Sequence, residues 1–142
     1  MSTMQASFMK EPLDLSGANQ VVCADLSLLF ILFNTRLLEA IARTGGKPLA
    51  DQFVQQLDSY ARQHGWTVLT GLTSLTELRY RVPDVHAKML ASVYVSYTQY
   101  AQKLARQILG EQLLKSTLMT LLTNLPSDIA QLNTQYGIIR IA

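Results

Sequence analysis

The chain has 142 residues; 49% are apolar, only 15% are charged, the formal net charge is +2 and there is a single cysteine. One cysteine excludes an intrachain disulfide, and this length suits one domain burying roughly two-thirds of its unfolded surface. A charge fraction below the usual value of about 25% leaves little charged surface to spare, which points to oligomerisation or to a face kept for a partner.

Residues 1–15 mix polar and apolar types and carry three methionines and Pro12, so they read as a flexible N-terminal arm, with 16–142 as a single helical domain. The arm holds Lys10, Glu11 and Asp14 and lacks the apolar block of roughly seven residues or more that a signal peptide requires; a cytoplasmic protein is expected.

The first helix is expected over Val21–Thr44, capped by Ser16 or Asn19, whose short side chains satisfy a free amide there. Seven of the eight residues from Leu26 to Phe33 are large and apolar, so no solvent face is visible in that stretch. A helix apolar all round must be covered on several sides. Crossing a bilayer takes roughly 20 apolar residues. Here Asp25 precedes the stretch and Asn34, Arg36 and Glu39 follow it, and a charge at the bilayer centre costs at least about 2.5 kcal/mol. No membrane span is expected. Gly45 and Gly46 should end this helix.

Pro48 suits the first position of a second helix. Leu49, Phe53, Leu57 and Tyr60 form its apolar face, while Gln52, Gln55, Gln56, Asp58, Arg62 and Gln63 fill the other, and it should end near Gly65. Residues 66–83 divide between two readings. Ser74 to Glu77 has the form of a capping box, and Leu78 to Val82 alternates apolar and basic residues as a strand does. The segment is either a short helix running into an extended stretch or one small β-hairpin within 66–82.

A long helix from Pro83 or Asp84 to Leu109 carries Ala87, Leu90, Tyr94, Tyr97, Ala101, Leu104 and Ile108, spaced alternately by three and four residues. This seam of period 3.5, roughly 32 Å long at about 1.5 Å per residue, packs lengthwise on another helix. Gly110 breaks the chain. Leu113, Leu114, Leu118, Leu121 and Leu122 mark a further helix up to Pro126, and Ser127 caps a short one through Tyr136, ended by Gly137. Ile138, Ile139, Arg140 and Ile141 read as an extended apolar tail that must dock, or as the start of an element in a longer parent chain. The sum is an all-α helical bundle of four to six helices.

Candidate sites carry little chemistry. Cys23 as a nucleophile needs a base, and the chain offers only His64 and His86; a buried structural thiol is the plainer reading. Neither histidine has a partner at metal-ligand spacing, and His86, in the first turn of the long helix, lacks the local motif that would make a haem site specific. No metal and no cofactor are expected. Asp51 and Asp58 lie on a polar helix face where both should be solvated. Arg79, Arg81, Lys88, Lys103 and Arg106 are spread over two elements, too sparse for a nucleic-acid patch.

The expected function is therefore a helical protein–protein interaction or dimerisation module, regulatory or sensory in role. Its expected interface is Leu90, Tyr94, Tyr97, Ala101, Leu104 and Ile108, and the partner is a protein or a second copy in a homodimer. The alternative is a helical sensor that binds a small apolar ligand or cofactor in a pocket of Leu29, Phe30, Phe33, Tyr94 and Tyr97. A third reading, a small enzyme using Cys23 or His86, has the least support. The pattern is shared by many unrelated bundles and carries no family signature.

Overall fold

The computed structural model describes residues 17–70 and 85–141. Among the described residues it is all-α: α1 (Gly17–Gln63), a single 3-10 turn (Thr67–Leu69), α2 (Ala87–Leu109), α3 (Glu111–Thr123) and α4 (Ser127–Tyr136), with no strand. The N-terminal arm and most of the segment read as a helix or hairpin lie outside the described residues. Trp66–Thr70, the first strand of that hairpin, contains the 3-10 turn instead.

Helix α1 organises the rest: α2, α3, α4 and the 3-10 turn all pack against it. Its two arms, 17–45 and 47–63, correspond to the two helices expected from sequence. They are joined at Gly46, whose φ of 79° lies in the left-handed region where only glycine is unstrained. A side chain at Gly45 would run into that of Leu49. The second arm starts at the position where Pro48 lacks a hydrogen-bond donor at no cost. The arms fold back on each other, and positions equidistant from Gly46 (Leu38 with Val54, Asn34 with Asp58) line the same cleft.

The apolar stretch of the first arm is not covered all round. Leu26, Leu29, Phe30, Phe33, Leu37 and Ile41 are buried completely. Leu28, Ile31, Leu32 and Leu38 on the other flank are only half-buried. One face therefore makes the core, at the spacing of three and four residues that keeps side chains on one side of a helix. By length and composition this helix could cross a membrane: one window of 18 residues has a mean hydropathy of 1.8, and a third of it is buried inside the structure.

Asn19 is not the cap of its own helix, as its place in the sequence suggested. It lies inside α1 and reaches across to the start of α2, donating from Nδ2 to the Val85 carbonyl at 2.8 Å and accepting from the Ala87 amide at 2.9 Å. The Cys23 thiol, one turn on, donates to the same carbonyl at 3.4 Å. Helix α2 begins at Ala87, later than Pro83 or Asp84, because His86 takes the cap: its Nδ1 accepts from the Lys88 amide at 3.2 Å.

The isoleucine tail is docked. Ile138 and Ile139 are buried, the Thr98 hydroxyl of α2 donates to the Ile138 carbonyl at 2.7 Å, and the Asn133 side chain of α4 bonds both the amide and the carbonyl of Ile139. Asn19 and Asn133 thus use the same device, a side-chain amide standing in for the backbone partner that an irregular segment lacks. Buried side chains from α1, the turn, all later helices and the tail form one connected cluster.

Candidate functional site

The expected interface is an internal packing surface. Leu90, Tyr94, Tyr97, Ala101 and Leu104 are all buried within the single chain, and Ile108 is half-buried. The period of 3.5 meets α1 of the same chain, with Phe30 against Tyr94 and Tyr97.

Four of the five residues expected to line a pocket fill the core instead. Leu29, Phe30, Phe33 and Tyr94 are fully buried. The Phe30 ring stacks on Tyr94 with centroids 4.2 Å apart and meets Tyr97 edge-on at 4.8 Å. Such offset and edge contacts satisfy the ring quadrupoles and leave no room for a guest. The Tyr94 hydroxyl shares a hydrogen bond of 2.8 Å with Ser27. Burial pushes this phenol well above the usual range, partly opposed by that bond.

Tyr97 alone reaches open space. It lies on the margin of a cleft of about 320 Å³ between the arms of α1, beside the 3-10 turn. That is the small end of the range for ligand pockets, roughly 300–1,000 Å³. Ile31, Leu38, Val54, Leu57 and Leu69 give it apolar walls, and Asn34, Thr35, Glu39 and Asp58 supply polar atoms. Glu39 sits at the exposed end, within 3.4 Å of Arg36 and 3.6 Å of Arg43. Asp58 is half-buried. Its charge, added to the larger effect of burial, holds the Tyr97 hydroxyl well above the ordinary phenol range. The Asn34 Oδ1 is shut off from solvent and has no hydrogen-bond partner among the described residues. A buried acceptor in that condition is uncommon and calls for an explanation.

The sequence pointed to none of these polar residues as a site. By sequence Asp58 belongs to a polar helix face, and Asn34 ends an apolar run. The one local signal was a polar residue interrupting an apolar stretch at a position the helix turns inward.

The remaining candidates do not converge. Cys23 and His86 both lie near Val85, but the thiol donates to a carbonyl and the imidazole caps α2. His64 stands apart, its ring 4.8 Å from Trp66 and 4.3 Å from Tyr60. Asp51 is bonded to Lys47 at 2.8 Å. Among the described residues no three His, Cys, Asp or Glu side chains gather as a metal would require. Lys88 and Lys103 are exposed, Arg106 is half-buried near Glu111, and Arg79 and Arg81 lie outside the described residues. No protein-family model, no curated protein and no solved structure matches the chain.

Proposed function

We propose that this chain is a helical bundle with a sensory or regulatory role, binding a small, mainly apolar ligand in the cleft between the arms of α1. The observation that carries the reading is the cleft itself: concave, walled by aliphatic side chains, and bounded by two arms whose angle depends on one glycine. A ligand touching both arms would favour one angle at Gly46 over others, and a ligand shifts a conformational equilibrium only by such differential contact. Toluene, as a minimal apolar probe, should shift the methyl resonances of Ile31, Leu38, Val54 and Leu57 in solution NMR. Val54→Phe, which fills the cleft, should abolish the shifts without unfolding the protein. Shifts scattered over the surface, or none at these methyls, would remove the reading.

A second reading keeps the interaction role on a different face. Val21 is 61% exposed, and Leu28 and Leu32 follow it at spacings of seven and four residues, half-buried, on the outward flank of α1. With so few charged residues elsewhere, this strip suits the matching strip of a second copy across a twofold axis. Sedimentation equilibrium should then show a dimer that Leu32→Arg dissociates, since a buried unpaired guanidinium is strongly unfavourable. A monomer at all concentrations up to near-millimolar would rule this out.

A further inference from the structure

A second concavity shares no lining residue with the cleft. It is an open groove of about 360 Å³ between the first half of α2 and the junction of α4 with the docked tail. Lys88, Ser92 and Ser96 come from α2 at successive intervals of four residues, the spacing that stacks side chains along one helix face. Arg140 comes from the tail, whose course is fixed just before it by the bonds from Thr98 to Ile138 and from Asn133 to Ile139. Gly137 leaves room for its guanidinium, since a Cβ at that position would fall 2.5 Å from Nη2. Docking of the tail thus brings a second basic residue to the Lys88 face of α2, 52 positions along the chain. No carboxylate is among the described residues that line the groove. The basic groups of α1 contrast with this: Arg36 and Arg43 lie 3.4 and 3.6 Å from Glu39, and Lys47 lies 2.8 Å from Asp51. Lys88 and Arg140 have no ion-pair partner among the described residues. A concave surface of one sign focuses its field and concentrates the opposite ion.

We propose that this groove binds a small organic phosphate monoester. The phosphate lies between the Lys88 ammonium and the Arg140 guanidinium, with the Ser92 and Ser96 hydroxyls as neutral donors. The organic body rests on the apolar part of the groove, where Val95 and the Tyr136 ring are half-buried. Charge favours a phosphate over a carboxylate here. A monoester carries about −1.5 to −2 near neutral pH, which two cations match. Arginine also pairs two phosphate oxygens at once through its fork of N–H groups. This site is independent of the ligand proposed for the cleft, and either stands without the other.

The test uses phenyl phosphate, benzoate and inorganic phosphate as probes. Dissociation constants come from NMR titration of the full chain, followed at the backbone amides of Ser92, Ser96 and Arg140. Phenyl phosphate should bind about tenfold or more tighter than benzoate, which has one charge fewer, and tighter than inorganic phosphate, which has no body; added salt should weaken it. Lys88→Gln and Arg140→Gln should each weaken phenyl phosphate about tenfold. Both side chains are exposed, so the variants should keep the parent's circular dichroism. Lys103→Gln removes an exposed charge of α2 outside the groove and should leave the affinity unchanged. No shift at the three amides would overturn the site, as would an equal loss in Lys103→Gln, which would reduce the effect to net charge. Benzoate binding as tightly as phenyl phosphate would overturn the phosphate, and inorganic phosphate binding as tightly would overturn the organic body.

Discussion

Replacing Phe30 by alanine should destabilise the protein by about 3–5 kcal/mol, a large fraction of the roughly 5–15 kcal/mol that holds a domain of this kind folded. Phe30 is fully buried near the middle of the first arm of α1, stacked on Tyr94 and edge-on to Tyr97. Truncation removes its apolar transfer energy, leaves a cavity between two rings that cannot both move in, and forfeits the aromatic contacts, which contribute about 0.5–1.5 kcal/mol each. The cavity would also lie beside the Ser27–Tyr94 hydrogen bond, whose geometry depends on the ring staying in place. Phe30→Leu, which retains more of the volume, should cost clearly less. Urea denaturation read by circular dichroism is the measurement. A loss below about 1 kcal/mol for the alanine variant would mean that this aromatic group is not the centre of the core.

Asn19→Ala should cost about 2–4 kcal/mol, far more than a surface asparagine on a helix would. The substitution deletes few atoms but strands the buried Ala87 amide and leaves the Val85 carbonyl with only the longer bond from the Cys23 thiol. Each unsatisfied group carries a desolvation penalty of about 1–3 kcal/mol. Asn19→Asp separates the two. The carboxylate can still accept from the Ala87 amide, where the start of α2 favours negative charge, but it presents an oxygen to the Val85 carbonyl and repels it. The aspartate variant should therefore keep the Ala87 amide protected from hydrogen exchange better than the alanine variant does, while remaining less stable than the parent. Unchanged protection at Ala87 in Asn19→Ala would show that the clamp does not hold the two helices together.

The two effects also differ in how legible they were. Phe30 was visible as a covered residue from the sequence, within a run of large apolar residues, but the same sequence also offered it as pocket lining. Asn19 was visible only as a cap, and the wrong one. Capping chemistry is local in form: a short polar side chain near a free amide. Asparagine supplies both a donor and an acceptor on a short stem, so the same side chain serves a helix start 68 positions further along the chain as well as its own. Nothing in the neighbouring residues tells these cases apart.

By itself the sequence determined the all-α class, the break at Gly45 and Gly46, the helices that end at Leu109 and Tyr136, and the need for the isoleucine tail to dock. These rest on short-range physics: periodicity of three and four residues, glycine at turns, and the insolubility of exposed apolar surface. Only the tertiary structure decided what each apolar face meets. The 3.5-residue seam of α2 specifies a helical partner of matching shape, and that specification is identical whether the partner belongs to the same chain or to another. Folding settled it in favour of α1, because an intramolecular partner is always at hand and needs no association step. The cleft belongs to the same category. Asn34 and Asp58 are polar residues on separate arms, unremarkable in either helix alone. They face one space only because the chain reverses at Gly46, with a geometry that periodicity along a single helix does not encode.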